Sequence, residues 1–473
     1  MYQCPNCGGN LKFDIASQQL ACEFCQTKMD PYSFQKEKDA EESSYYEATI
    51  FTCPQCGGEL LSTDTDATAF CSFCGASTIL DSRISKERRP GYIIPFTKTK
   101  EDCKKAYTAM TKRAIFAPKE LKDEKYIDSF RGIYMPYWTY YFAQQKSISL
   151  PGEKQHRRGD FIVTEHYSLR ADLNAYYKGL SYDASSSFDD SISEKLAPYD
   201  VKNMKPFTPS FLSGFYADTA DVDKNLYEPQ AAATASMQTI DHICNAPEFA
   251  AYGPDRLQLS PESLGTECKA VDGAMFPVWF LSYRNGDRVA YATVNGQTGK
   301  VVADLPVDRK KYLVGSLLLA IPIFILLNLF LVLTPGKLAI VTAALAAIAA
   351  IIYGMELSQI RRRDFGLDDR GLQAKRYADA AQGNPQQPVG ATQVSDNTYN
   401  LTNKPGFWCA IAALVLSAAI VMVNPASDLI FYGVSALSMV AVLISLLDII
   451  KYYNILATRR LPQFNKQGGD DRA

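Results

Sequence analysis

The sequence predicts a multidomain protein that combines two small β modules, a mixed α+β domain and a four-helix transmembrane bundle. Three observations support this fold class: a duplicated cysteine pattern between Cys4 and Cys74, a middle region that mixes strand and helix patterns, and four long apolar runs near the C-terminus. The overall composition, 47% hydrophobic residues with a formal charge of −2 over 473 residues, hides this division because it averages the regions.

The predicted boundaries follow the changes in composition along the chain. They are 1–34 and 51–82 for the two β modules, 35–50 for an acidic linker between them, 90–308 for the α+β domain, 312–355 and 407–450 for two transmembrane hairpins, 356–406 for a flexible loop, and 451–473 for the tail.

Eight cysteines in the two β modules form four Cys-x-x-Cys pairs. The stretch between the two pairs has the same length in both modules, and the second module repeats the pattern of the first. A two-residue gap lets both sulfurs of a knuckle turn toward one ion, so each module is predicted to be a zinc ribbon that holds one structural Zn²⁺. The predicted ligands are Cys4, Cys7, Cys22 and Cys25 in the first ribbon and Cys53, Cys56, Cys71 and Cys74 in the second.

Disulfides and redox chemistry are the alternatives to zinc for these cysteines. Disulfides need an oxidising compartment, and Met1 leads almost directly into the first knuckle, so we expect no signal peptide. A thioredoxin-like motif needs one pair in a βαβ context, whereas this sequence has four pairs in two matched sets. Two structural zinc sites are therefore the favoured interpretation.

Four apolar runs near the C-terminus predict four transmembrane helices. The first contains no charged residue and corresponds to about 34 Å of helix, against a hydrocarbon core of about 30 Å. Short polar turns join the runs in pairs, which predicts two helical hairpins. The runs are Tyr312–Thr334, Leu338–Met355, Phe407–Val423 and Leu429–Ile450.

Basic residues flank the predicted spans on one side. Arg309 precedes the first span, Arg361 follows the second, Lys404 precedes the third and Arg459 follows the fourth. Because short loops rich in lysine and arginine stay in the cytoplasm, we expect a multi-pass protein of the cell membrane with both termini and the α+β domain in the cytoplasm. This location also keeps the thiols reduced and able to bind zinc.

The middle region contains two related aromatic segments with a Pro-x-Trp motif. Pro136 and Trp138 lie in one predicted strand, and Pro277 and Trp279 lie in the other. Proline removes a ladder donor, so we expect both strands at an edge or a bulge. An amphipathic helix is predicted over Lys100–Ile115, and Asn-Gly turns predict hairpins after the second aromatic strand. The aromatic side chains are predicted to form a packed β core in preference to a ligand pocket.

The charge distribution argues against nucleic acid as the partner of the ribbons. The second ribbon carries Glu59, Asp64 and Asp66 without a basic residue, and the first carries three acidic residues against Lys12 and Lys28. A Cys4 zinc site is itself negative, so a polyanion would be repelled. We therefore expect protein partners, together with the lipid bilayer.

Several motifs together resemble a family of bacterial zinc-ribbon membrane proteins. Some members of that family look like a membrane subunit that works beside flotillin-like and phage-shock proteins in envelope-stress responses, so the resemblance implies partners of those kinds. The motifs are Cys4-Pro5-x-Cys7-Gly8-Gly9, Ile93-Ile94-Pro95-Phe96, Phe116-Ala117-Pro118, Gly132-Ile133-Tyr134-Met135-Pro136-Tyr137-Trp138, Asn295-Gly296-Gln297-Thr298-Gly299-Lys300-Val301-Val302 and the terminal membrane helices.

The sequence thus predicts a non-enzymatic scaffold or adaptor that recruits proteins to the cytoplasmic face of the membrane. It shows no phosphate loop and no recognisable catalytic constellation. Two alternatives stay open: a membrane-tethered nucleic-acid-binding regulator, and an enzyme acting on lipid or cell-wall precursors in a pocket lined by Tyr134, Trp138 and Trp279.

Overall fold

The computed structural model describes residues 2–32, 45–62, 71–76, 81–254, 260–330, 334–381, 400–401 and 404–462. It confirms the fold class: two N-terminal Cys4 clusters, a mixed α/β sheet domain, and, among the described residues, four helices long and apolar enough to span a membrane. Most of the predicted linker over 35–50, the central part of the predicted loop over 356–406 and the end of the predicted tail over 451–473 lie outside the described residues.

The strands in chain order belong to two sheets. β1 (Leu11–Asp14), β2 (Gln19–Cys22) and β3 (Lys28–Met29) form the small sheet of the first ribbon. In the described part of the chain, twelve strands form the large sheet: β4 (Tyr45–Thr52), β5 (Glu59–Ser62), β6 (Asp81–Arg88), β7 (Tyr92–Ile93), β8 (Arg131–Arg158), β9 (Phe161–Asp183), β10 (Lys205–Pro206), β11 (Tyr216–Ala217), β12 (Thr266–Asn285), β13 (Arg288–Asn295), β14 (Val301–Ala303) and β15 (Arg459–Arg460).

The helices fall into a soluble set and a membrane set. The soluble set comprises α1 (Lys100–Arg113), α2 (Glu124–Ile127), α3 (Asp190–Leu196), α4 (Glu228–Asn245) and α5 (Pro247–Ala250). The apolar helices are α6 (Arg309–Phe330), α7 (Pro335–Asp364), α9 (Pro405–Val423) and α10 (Asp428–Leu456), with the polar helix α8 (Arg370–Ala381) after α7.

Helix α1 shows how local sequence determines an element. The Thr99 side chain accepts a hydrogen bond from the backbone of Asp102, whose carboxylate accepts one from the backbone of Thr99, so both groups satisfy free helix-end donors. Cys103 and Tyr107 are buried one turn apart, as the predicted amphipathic pattern requires. The helix ends at Arg113, just before the predicted end at Ile115.

The two Pro-x-Trp strands pair with each other inside the large sheet, and neither proline lies at a register shift, which corrects the prediction of an edge or a bulge. β8 and β12 are antiparallel, with Pro136 opposite Met275 and Pro277 opposite Tyr134. Each proline lies where the neighbour on the other side of its strand changes. Next to Pro136, β11 ends and β9 begins, and next to Pro277, β7 ends and β13 begins. A missing N–H costs no ladder bond at such a gap.

The second ribbon is part of the large sheet, which moves two predicted boundaries. β4 begins at Tyr45, inside the segment predicted as a linker, and β6 continues to Arg88, beyond the predicted end of the ribbon at residue 82. The two strands pair along their whole length, and β5 joins them to β11 and hence to β8. The ribbon extends because its strands have partners in the large sheet.

Three of the four apolar helices pack together, and the fourth lies apart. Ala346 of α7, Ala413 of α9 and Val442 of α10 meet in one buried cluster, and Thr342 and Ser417 share a hydrogen bond of 3.0 Å. Small residues allow this close approach, as predicted. No described residue in the hydrophobic span of α6 is buried, so α6 does not pack along α7 as the predicted first hairpin requires.

Helix α8 occupies part of the segment predicted as a flexible loop. Lys375 of α8 forms an ion pair with Asp221, and the backbone N–H of Arg370 donates to the carboxylate of Asp190 over 2.8 Å. These contacts with the sheet domain order the beginning of the polar segment, which composition alone did not reveal. The residues at 382–399 lie outside the described part.

Candidate metal centres

The four Cys-x-x-Cys knuckles share one backbone geometry. In each, the N–H of the first cysteine donates to the carbonyl five residues later, and the N–H four residues later donates back to the cysteine carbonyl, over 2.7–3.0 Å. The residue at that fourth position has a positive φ, which favours glycine. These residues are Gly8 (72°), Gln26 (59°), Gly57 (70°) and Gly75 (69°).

The knuckles bring the sulfurs of each ribbon into one cluster. All four Sγ atoms of each set lie within 4.8 Å of one another. The shortest pairs are 3.4–3.5 Å apart in the first ribbon and 3.7–3.8 Å apart in the second, close to the ~3.8 Å edge of a tetrahedron with 2.3 Å Zn–S bonds. These distances are too long for disulfides. Both Cys4 groups are therefore geometrically able to bind a metal ion, consistent with two zinc sites.

The two sites differ in their exposure to solvent. In the first, Cys4 and Cys22 are buried whereas Cys7 and Cys25 are exposed. In the second, all four cysteines are buried within the large sheet. The first site therefore opens to solvent on one side, and the second is a structural part of the sheet domain.

An aromatic residue at the same motif position shows this difference most clearly. Phe24 and Phe73 each precede the last cysteine of their ribbon. Phe73 is 2% exposed, packs 6.3 Å from Phe280, and its carbonyl accepts a hydrogen bond from Tyr291. Phe24 is 77% exposed. The same local motif thus supplies a core residue in one ribbon and a displayed residue in the other.

The charged groups around the first site disfavour polyanions, and hydrogen bonding shifts the pKa values of its two exposed thiols in opposite directions. A backbone hydrogen bond with Gly9 lowers the pKa of the Cys7 thiol, but hydrogen bonds with Cys25 and Cys22 outweigh it and raise this pKa. Hydrogen bonds from the Thr27 hydroxyl and backbone lower the pKa of the Cys25 thiol to about 6. Lys12 lies 2.7 Å from Glu23, and Lys28 lies 3.7 Å from Asp14, so both lysines of this ribbon face a carboxylate. The surface around the exposed knuckle therefore offers little free positive charge.

The first ribbon is anchored to the sheet domain by the loop after β10. The hydroxyl of Ser213 donates to the carbonyl of Leu11, whereas the N–H of Phe13 donates to the carbonyl of Ser213. The Phe13 ring packs 5.1 Å from Phe211. These contacts hold the inner side of the ribbon and do not involve its outer knuckle.

The three aromatic residues considered for an enzymatic pocket do not line a common cavity. Tyr134 and Trp279 pack against Phe96 with ring centroids 4.9 and 5.1 Å away, inside the main core. Trp138 lies in a different cluster and donates to the carbonyl of Val222. Tyr134 and Trp279 thus lie in the packed β core predicted for these aromatics, whereas Trp138 also lines a separate cavity of about 320 Å³.

Sequence reasoning missed a network of ion pairs between the sheet domain and the ends of the membrane helices. Arg363 at the end of α7 lies 2.9 Å from Asp304, and Arg459 after α10 pairs with Asp189 and Asp304. In the sequence, the basic residues at these helix ends, Arg361 and Arg459 among them, predict only the side of the membrane on which they lie. The sequence contains both the arginines and the aspartates. The two members of each pair are far apart in the chain, so the sequence does not reveal that they meet.

Comparison with known proteins yields an informative relative. No family model matches the chain, and no solved structure matches it. The protein called "Uncharacterized protein YdjG" of Bacillus subtilis (strain 168) is 34% identical over 315 residues, which cover 66% of this chain and 91% of the relative. The chain belongs to the YdjG family. The family relationship extends over nearly the whole of YdjG and over most of this chain.

Proposed function

We propose that this YdjG-family protein is a membrane-anchored adaptor that recruits other proteins through its first zinc ribbon. The observation that carries the proposal is the contrast between Phe24 and Phe73. One ribbon is embedded and supports the sheet, whereas the other displays a large apolar side chain beside two exposed cysteines. An exposed aromatic residue on a rigid, metal-held loop is typical of an interface anchor.

The charge of the displayed ribbon supports a protein partner in preference to a nucleic acid. Lys12 and Lys28 each face a carboxylate, and a zinc-bound Cys4 cluster adds negative charge. Nucleic-acid binding needs unpaired lysines or arginines that neutralise phosphates. A partner with an apolar pocket bordered by basic residues would complement this surface.

The membrane side of the proposal rests on the positive-inside rule. Basic residues at the ends of α7 and α10 contact the sheet domain, so the domain lies on the side of the membrane where these residues cluster. Under that rule this side is the cytoplasm, and both termini are cytoplasmic. The resemblance described above supports flotillin-like or phage-shock-type proteins as partners in an envelope-stress response, with no catalytic role for this chain.

Site-specific photo-crosslinking in native membranes tests the adaptor function. A photoreactive phenylalanine analogue at position 24 is expected to capture a discrete partner protein. The same analogue at position 161 is the matched control, because Phe161 is 76% exposed at the turn between β8 and β9, outside the ribbon. A Phe24→Ala variant is expected to lose the partner in a pull-down, and Phe161→Ala to retain it.

Two results would contradict the proposal. One is retention of every membrane-associated partner by Phe24→Ala. The other is salt-dependent binding of DNA or RNA by the full chain that Lys12→Ala weakens, which would favour the nucleic-acid regulator instead.

A further inference from the structure

A cavity of about 320 Å³ lies between the end of β9, helix α3 and the beginning of α4. It belongs neither to the zinc ribbons nor to the membrane helices. Tyr137 of β8 and Phe276 of β12 form part of its wall, so the cavity lies against the central pair of strands. Glu194, which is exposed, and Gln230, which is partly exposed, also line it. A pocket of this size holds a small organic molecule.

Aromatic rings line the cavity in two stacked groups. Tyr182 and Tyr227 lie parallel, with centroids 5.3 Å apart and an interplanar angle of 6°. Tyr137 stacks on Phe276 at 4.4 Å, and Tyr199 lies 4.7 Å from Phe276. Aromatic faces attract cations through their negative quadrupole. The walls therefore suit a ligand that is apolar and positively charged.

Two buried carboxyl groups with different hydrogen-bond environments line the cavity. Asp190 is 7% exposed and accepts from the hydroxyl of Tyr227 and the backbone N–H of Arg370, each over 2.8 Å. Asp183 is 3% exposed, and its Oδ2 has no hydrogen-bond partner among the described residues. A buried acceptor oxygen without a hydrogen-bond donor lowers the stability of the folded state unless a ligand donates to it.

The surroundings of Asp183 are acidic. Burial, and then the nearby carboxyl groups of Asp190 and Asp369, raise the pKa of Asp183 well above its usual range, which favours the neutral form of this carboxyl group. An anionic ligand would add to this repulsion, and a neutral apolar ligand would leave Oδ2 unsatisfied. A cation with N–H groups opposes both effects, since its charge favours the ionised carboxylate, with release of the carboxyl proton to solvent, and its N–H groups donate to Oδ2.

We propose that this cavity binds a small alkylammonium ion, whose N–H groups donate to Oδ2 of Asp183 and whose alkyl chain lies among the rings of Tyr182, Tyr227 and Phe276. The site goes beyond the adaptor function and does not depend on it. Asp190 also connects the cavity to the segment after α7 through the backbone of Arg370. An occupant that binds Asp183 therefore lies in the same cavity as the carboxylate of Asp190, which the membrane-proximal segment contacts.

Calorimetric titration of the full chain in detergent tests the proposal. The probes are n-butylammonium and 1,4-diaminobutane, with sodium chloride at equal ionic strength as the reference. We expect saturable binding of an amine, weakened at least tenfold by Asp183→Asn. Asp160→Asn, at the exposed turn between β8 and β9, is the control and is expected to bind like the wild type.

A second variant keeps the test decisive if Asp183→Asn does not fold. Tyr182→Leu keeps an apolar side chain and removes one ring of the stack, and it is expected to weaken amine binding about three- to tenfold. Absence of amine binding to the wild-type chain would overturn the proposal. So would equal affinity in wild type, Asp183→Asn and Tyr182→Leu, or displacement of the amine by sodium at the same concentration.

Discussion

Arg288 of β13 and Asp364, the last residue of α7, form an ion pair in which Nη2 and Oδ1 are 3.2 Å apart and the side chains are 18% and 2% exposed. The same guanidinium donates to the carbonyls of Ile455 and Thr458 at the end of α10. One arginine of the sheet domain thus holds the ends of two membrane helices. The sheet domain and the membrane part are joined by specific contacts rather than by a linker alone.

Removing this arginine is expected to loosen the junction. Arg288→Met leaves the buried carboxylate of Asp364 with less compensation; because Arg460 still lies 3.4 Å from it, the cost in local stability should be about 3 kcal/mol or less, below the range for an unpaired buried charge. Hydrogen exchange of β13 and of the last turn of α7 measures the effect. Lys269→Met is the control, because Lys269 and Glu267 form an exposed pair that contributes little to stability. Equal exchange in both variants would refute a structural role for the junction.

Metal analysis is expected to find two zinc ions per chain with different lability. The first site has two exposed cysteines, so a chelator should remove its metal first, whereas the second is enclosed by the sheet. Cys7→Ser should retain one zinc and the β structure of the large sheet. Cys56→Ser should lose the folded sheet domain. Elemental analysis and circular dichroism measure both outcomes, and simultaneous release of the two ions would contradict the difference in burial.

Gln26 is the one non-glycine residue among the four positive-φ knuckle positions. An L-residue in this conformation costs about 1–2 kcal/mol relative to glycine, partly offset by the greater freedom of glycine in the unfolded chain. Gln26→Gly should therefore stabilise the first ribbon by up to about 1 kcal/mol, seen as slower zinc release. Gly75→Ala should instead destabilise the second ribbon. The φ of Gly75 is +69°, and an added Cβ would lie 3.1 Å from Arg284. Faster zinc release from Gln26→Gly would disprove the argument.

Asp369, between α7 and α8, should make stability depend on pH. Burial, and to a lesser degree the nearby Asp190, raise the pKa of Asp369 to about 8. Between its ordinary value near 4 and 8 the folded state binds more protons than the unfolded state. The contribution of this group to the free energy of unfolding is therefore largest below about pH 4. It decreases as the pH rises toward 8, by at most about 1.4 kcal/mol per pH unit.

The comparison of wild type with Asp369→Asn isolates this effect. The variant should be more stable than the wild type at pH 7 to 8, and the difference should shrink toward pH 5. Denaturation in detergent at several pH values measures it. Asp160→Asn, on an exposed turn, should show no such pH-dependent difference. A larger advantage of Asp369→Asn at pH 5 than at pH 8 would show that the sign is wrong.

The local parts of the structure follow directly from the sequence. Cysteine spacing predicts the two sulfur clusters because each knuckle closes over a short stretch, from Cys4 to Gly9 for example. Apolar runs predict the four long helices because a helix satisfies its own backbone. The Asn-Gly turn at Asn285 places β12 beside β13, as predicted. Each of these features depends on residues close together in the chain.

Other features became visible only with long-range contacts. Pro136 and Pro277 tolerate the sheet interior because other strands begin or end beside them, and nothing within their own segments reveals this. Asp183 and Asp190 share a cavity wall with Tyr227, which belongs to a later segment of the chain.

The sequence by itself determined the two Cys4 groups, the four apolar helices and their basic flanks, because these depend on spacing and composition within short segments. The tertiary structure alone decided which ribbon is enclosed and which displays its aromatic residue, and how the sheet holds the membrane helices. Phe24 and Phe73 occupy the same motif position and have opposite exposure. Burial is set by what packs against a residue from elsewhere in the chain, and here that is β12 and β13 for one phenylalanine and solvent for the other.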